Sequence, residues 1–137
     1  MSAAEVYQNY LRNQVQTASP EKLLLMLYDG AIRFLGQAEA ACGEREWEKT
    51  NNFLLRAQEI ITELICTLNP EAGEVAGQLG SLYEYMLRRL GEANVKKEAG
   101  AISEVKGLLA ELREAWQEAA LRSRGGGQEA RGLNVRG

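Results

Sequence analysis

The 137-residue sequence contains no histidine. That absence excludes Ser-His-Asp and Cys-His catalysis, His-ligated zinc, and the di-iron sites that helical bundles build from Glu-x-x-His. The two cysteines, Cys42 and Cys66, stand alone in the sequence, so neither a CxxC metal site nor a CxxC redox motif is present. We interpret both as small core residues in a reducing cytosol. No metal or other cofactor is therefore expected.

Long apolar runs and an excess of basic charge are also missing. No stretch approaches the ~18 apolar residues that a membrane span needs. The first residues show no basic region followed by an apolar one, so no signal peptide is expected. The 16 Lys+Arg and 19 Asp+Glu give a formal net charge of -3, which argues against nucleic-acid binding. We expect a cytoplasmic protein that neither inserts into a membrane nor binds nucleic acid.

Only two prolines occur, and each sits where a helix should start or stop. Ser19 can cap a helix and Pro20 suits its first position, while Gly43 is a suitable stop. Asn69 is pushed out of the helical region by Pro70, which ends a second helix. The spacing of apolar residues then predicts four helices, over about residues 20–42, 46–68, 74–93 and 98–120.

Apolar residues step by three and four positions along these helices, as in a bundle seam. The second helix shows this at Leu54, Ala57, Ile61, Leu64 and Leu68. Because the connections are short, consecutive helices should be antiparallel neighbours. The sequence predicts an all-α fold, an antiparallel up-down four-helix bundle over residues 19–120. Gly73, Gly77 and Gly80 should weaken the first turns of the third helix, since each glycine costs about 1 kcal/mol relative to alanine inside a helix.

Two segments lie outside the predicted bundle. Residues 121–137 contain five glycines, four arginines and one glutamate, and we expect a disordered tail. Residues 1–18 place a few apolar side chains at near-helical spacing but are too short to form a stable helix alone. The helix over 20–42 has more apolar positions than one buried face requires. One interpretation is a flap that covers a groove on this helix and gives way to an amphipathic helix; the other is a permanent part of the core.

Two stretches resemble a known family. Residues 17–32 read TASPEKLLLMLYDGAI, and residues 82–90 read LYEYMLRRL, followed by Glu92, Ala93 and Asn94. These motifs resemble the FliS family of flagellar export chaperones, and the resemblance covers about residues 6–120. It implies a cytosolic, non-enzymatic four-helix bundle that binds the C-terminal segment of flagellin and prevents its premature polymerisation. It also implies delivery of flagellin to the cytoplasmic domain of a flagellar export gate protein.

The resemblance also assigns candidate partner-binding residues. In the flap these are Tyr7, Tyr10, Gln14 and Val15, and the two tyrosines are also candidates for contact with the export gate. The groove residues would be Leu24, Leu27, Tyr28 and Ile32. At the turn after the third helix, Asn94 and Val95 would contact the ligand.

One alternative from a different class stays open at this point. The same groove would equally suit a non-enzymatic regulatory bundle that binds another amphipathic helix. An exposed groove can also pair with itself, which would give a weak homodimer. A flagellin segment should distinguish these readings, because unrelated amphipathic peptides would bind the regulatory module equally well.

Overall fold

The computed structural model describes residues 3, 5, 6 and 19–126, with side chains up to residue 122. Over residues 19–126 it contains four long helices and a short 3-10 helix at Pro70–Ala72. The long helices are α1 Pro20–Gly43, α2 Trp47–Cys66, α3 Glu74–Lys96 and α4 Ala99–Gly126. The described residues include no strand. The predicted all-α, four-helix fold is confirmed.

The helices form a bundle in which neighbours run antiparallel. Helix α1 packs against α2 and α4, and α3 packs against the same two helices, so α1 and α3 lie on a diagonal. Each long helix faces inward with buried apolar residues, and the largest of these side chains are Tyr28 and Tyr83. Within the described part of the chain, no helix is long and apolar enough to cross a membrane.

Helix α1 begins as the sequence predicts. The Ser19 hydroxyl accepts a hydrogen bond from the backbone N–H of Lys22 at 3.1 Å, and Pro20 occupies the first helical position. At the other end, Gly43 is the last helical residue, and the left-handed backbone angle falls on Arg45, with φ 59°. The residue with the left-handed backbone is therefore Arg45 and not Gly43.

Helix α3 ends later than predicted, at Lys96 instead of residue 93. Asn94 and Val95 therefore lie in its last turn, and the prediction that they form a turn after the helix is wrong. Neither glycine nor proline follows Ala93 to stop the helix. The helix ends where Lys97 adopts the left-handed conformation and its N–H bonds to the carbonyl of Ala93.

Helix α4 also ends later than predicted. It continues to Gly126, so residues 121–126, expected to be part of a disordered tail, are helical. Extending a helix costs far less than starting one, and Arg122 pairs with Glu118 one turn earlier at 3.5 Å. The rest of that tail, residues 127–137, and the flap residues other than 3, 5 and 6 lie outside the described part of the chain.

Candidate partner-binding site

The four groove residues proposed on α1 divide into two pairs. Leu27 and Tyr28 are buried in the core, with 5% and 0% of their surface exposed. Leu24 and Ile32 are only partly buried and pack on the outside of that core. Leu24 and Ile32 therefore keep part of their apolar surface exposed, whereas Leu27 and Tyr28 belong to the core.

An apolar patch covers the first turns of α1. Residues 23–26 read Leu-Leu-Leu-Met, and all four are partly exposed. Because successive helical residues point about 100° apart, four consecutive apolar residues face every side of the helix, and no single neighbouring helix can bury them all. We call residues 23–26 the α1 patch. Only residues 19–22 separate it from the segment 1–18 in the chain.

A buried hydroxyl cluster lies just beneath this end of α1. The Tyr28 and Tyr83 hydroxyls share a hydrogen bond, and the indole Nε1 of Trp116 donates to the Tyr28 oxygen at 3.0 Å. Burial raises the pKa of both tyrosines, so both stay neutral. These bonds join α1, α3 and α4 at one point. The spacing of apolar residues gave no signal that these three side chains would meet.

Ion pairs join α1 and α4 along the seam where the two helices pack together. Arg113 pairs with Asp29, and Lys106 pairs with Glu39 at 2.5 Å. The Ser103 hydroxyl also donates to Glu39. The hydrogen bond from Lys106, helped by the one from Ser103, lowers the pKa of the Glu39 carboxyl. This seam is therefore polar at its surface.

A second set of polar contacts joins α3 and α4. Tyr85 donates to Glu104 at 2.5 Å, and Arg89 contacts both Glu104 and Glu92 at 2.8 Å. The hydrogen bonds from Tyr85 and then Arg89 lower the pKa of Glu104. Arg89 is thus used within the fold, and no group of three or more acidic or cysteine side chains suited to a metal occurs among the described residues.

The residues proposed near the end of α3 lie at the opposite end of the bundle from the α1 patch. Asn94 donates its side-chain amide to Asn51 of α2 at 2.6 Å, so that donor is used to join two helices. Val95 is 81% exposed. Nearby, the ammonium of Lys97 lies 5.2 Å from the centre of the Trp47 ring. Val95 is therefore free for contact, while Asn94 mainly positions the end of α3.

The remaining candidates, Tyr7, Tyr10, Gln14 and Val15, lie outside the described residues. Of their neighbours, Val6 is helical and 53% exposed. Their roles in partner binding stay predictions. The structure thus places Leu24 and Ile32 on α1, and Val95 in the last turn of α3, at the end of the bundle opposite the α1 patch.

Comparison with known proteins decides the family. The family model described as "Flagellar protein FliS" matches residues 3–123. This chain belongs to the FliS family. Among its relatives, the flagellar secretion chaperone FliS of Bacillus subtilis is 40% identical over 119 residues, which cover 87% of this chain and 89% of the relative. The flagellar secretion chaperone FliS of Salmonella typhimurium is 39% identical over 110 residues, covering 79% and 82% of the two chains.

The fold has a solved counterpart as well. A structure described as the crystal structure of a flagellar chaperone from bacteria aligns with a TM-score of 0.71, at 20% identity, over 88% of this chain and 99% of the other. That likeness supports the bundle architecture. Family membership confirms the resemblance seen in the motifs, and it makes this chain a flagellar export chaperone, which is not an enzyme.

Proposed function

We propose that this chain binds the C-terminal segment of flagellin in the cytosol, keeps it from polymerising, and helps to deliver it to the cytoplasmic domain of an export gate protein. The α1 patch carries the proposal. Residues 23–26 belong to the motif at 17–32 that resembles the family, and all four are apolar and partly exposed. A helix with an apolar face can bind to such a surface.

The mechanism follows from where the apolar surface lies. A flagellin segment that assembles through its apolar face can cover that face on the chaperone instead, and polymerisation is then blocked. A segment that is disordered when free must order itself on binding, and this cost keeps the affinity moderate for the area buried. Moderate affinity permits release at the gate.

The segment 1–18 is the natural competitor for this site. Only residues 19–22 separate it from residues 23–26, so it is tethered within reach of them and its local concentration there is high. We propose that it covers the α1 patch in the free chaperone and moves aside for flagellin. Tyr7 and Tyr10 would then become available to the export gate.

Calorimetric titration with a peptide from the C-terminal segment of the matching flagellin tests the proposal. We expect saturable one-to-one binding with a clearly negative heat-capacity change, as coupled folding buries apolar surface. An unrelated amphipathic peptide of equal length and charge is the control. Equal binding of both peptides would favour a general helix-binding module. No heat and no complex on size exclusion, with a soluble peptide, would contradict the proposal.

A further inference from the structure

Helix α3 begins with weaker local interactions than α1. Its N-cap residue, Gly73, has φ 82° and offers no side-chain hydrogen bond, whereas Ser19 caps α1 through its hydroxyl. The first backbone bond of α3, from the Gly77 N–H to the Gly73 carbonyl, measures 3.3 Å. The corresponding bond of α1, from Leu23 to Ser19, measures 2.9 Å. The start of α3 is therefore poorly anchored by its own backbone.

Packing against the rest of the bundle does little to compensate. Over residues 74–81, Ala76 is the one buried side chain, and Val75 is 58% exposed. The remainder of the helix is different, because its inward positions are fully or nearly fully buried, at Tyr83, Met86, Leu90 and Ala93. Regions with few buried contacts open locally at lower free energy than the core.

The two helical glycines in this stretch are not required by space. A Cβ added at Gly77 would have no atom within 4 Å, and one at Gly80 would lie 3.4 Å from the Leu68 Cδ1, an ordinary contact. Neither glycine has a positive φ. Glycine nevertheless weakens a helix interior relative to alanine. The sequence thus keeps two destabilising residues in one place where alanine would fit.

We infer that residues 74–81 form a local unit that opens while the rest of α3 stays packed, and that this opening lets the bundle adjust to a bound segment. Because neighbouring helices are antiparallel, the start of α3 lies at the same end of the bundle as the α1 patch. Opening there would uncover the partly buried Leu68 and Leu79. The role of this opening in binding rests on the proposed function, whereas the opening itself does not.

Hydrogen–deuterium exchange at single amides, measured by NMR on the full chain, tests the opening. We expect amides 77–82 to exchange at least 10-fold faster, relative to their unfolded rates, than amides 86–93. Gly77→Ala should slow exchange of amides 77–82 about 5-fold, from the difference in helix propensity between glycine and alanine. Equal protection along the whole helix would overturn the inference.

Gly91→Ala is the matched control. Gly91 lies in the packed half of the same helix, and a Cβ there also has no atom within 4 Å. This substitution should leave exchange of amides 77–82 unchanged, because it does not alter the unit that opens. If both variants slow those amides equally, the opening is global and the inference fails.

Binding measurements test the role of the opening separately from the opening itself. If the open form is the one that accepts the flagellin C-terminal peptide, Gly77→Ala should weaken binding up to about 5-fold, because a smaller fraction of the molecules has residues 74–81 open. Gly91→Ala should bind like the parent. Equal affinity of all three proteins would refute the role in binding. If the parent does not bind at all, the proposed function and this role both fail, while the exchange rates still decide whether the unit opens.

Discussion

At the scale of single residues, Tyr28 is the position whose role changes most between sequence and structure. Its place in the family-like motif suggests a groove residue, yet its side chain is fully buried and holds two hydrogen-bonded partners. A change at Tyr28 should therefore act through folding before it acts on binding. A charged residue there would unfold the bundle, and any loss of partner binding would be indirect.

We predict that Tyr28→Phe lowers the free energy of unfolding by about 1–3 kcal/mol, because the indole N–H of Trp116 and the Tyr83 hydroxyl each lose a buried partner. Tyr83→Phe should cost less, since its hydroxyl has one described partner. Urea unfolding of both variants and of the double variant is the measurement. The double variant should lose less than the sum of the single losses. Unchanged stability of Tyr28→Phe would show that the hydroxyl cluster contributes nothing.

Leu24 is the residue at which partner binding can be tested with little effect on the core. We predict that Leu24→Glu weakens binding of the flagellin C-terminal peptide at least 10-fold, because a carboxylate cannot be buried against an apolar face without a large desolvation cost. The matched control is Leu55→Glu on α2, a leucine that is 43% exposed. Calorimetry on both variants, with circular dichroism to confirm folding, is the measurement. Equal weakening by both would place the site elsewhere.

The candidate residues show how far sequence reasoning reaches at this scale. Leu24 and Tyr28 are four positions apart and lie on the same side of α1, yet Leu24 is partly exposed and Tyr28 is fully buried. Spacing alone cannot tell how deeply each residue of a largely apolar helix is buried. Asn94 illustrates a second difficulty, because its amide is taken up by Asn51, 43 positions earlier in the chain. Such a long-range partner leaves no local pattern in the sequence.

At the scale of helices, the starts are better predicted than the ends. Proline and a capping hydroxyl fix the start of α1, and both act through the residues next to them in the chain. The ends of α3 and α4 depend on how far packing and neighbouring pairs carry the helix, as with Arg122 and Glu118. No residue at 94 or 121 signals a stop, so the predicted boundaries fell short by three and six residues.

The cap of α1 gives a prediction at this scale. Ser19→Ala should lower the free energy of unfolding by about 1 kcal/mol, because the backbone N–H of Lys22 loses its acceptor. Ser19→Asp is the control, since its carboxylate can accept the same bond and also suits the positive end of the helix dipole. Urea unfolding of both variants is the measurement. If alanine is as stable as aspartate, the cap is unimportant.

At the scale of the whole molecule, the candidate contacts lie far apart. The α1 patch and Val95 are at opposite ends of a bundle whose first helix has 24 residues, about 36 Å at 1.5 Å per residue. One ligand that touches both must run along the bundle. From Leu24 to the last residue of α1, Gly43, the rise is about 29 Å. A helical ligand would need about 19 residues to cover it and an extended chain about 9, at roughly 3.3 Å per residue. Peptides shorter than this should bind one end only.

The dependence of stability on pH is also a property of the whole molecule, because it sums groups on different seams. Hydrogen bonds, and to a smaller extent charge attraction, lower the pKa of Glu39 and Glu104 below the ordinary value of 4.5. Their contribution is present above that value and is lost as the pH falls through the lowered pKa. Burial raises the pKa of Tyr28 and Tyr83 above 10.0, so their contribution is present below 10.0 and is lost as the pH rises further.

We therefore predict a broad plateau of stability around neutral pH, with a fall in acid below about pH 4.5 and another in alkali above about pH 10. Urea midpoints measured across this range are the test. Glu39→Gln should flatten the acid fall and leave the alkaline one, because it removes one of the carboxylates whose pKa is lowered. The Tyr28→Phe/Tyr83→Phe double variant should do the reverse, since it removes both buried hydroxyls. If each variant changed the acid fall and the alkaline fall alike, the pH dependence of stability would reflect net charge instead of these groups.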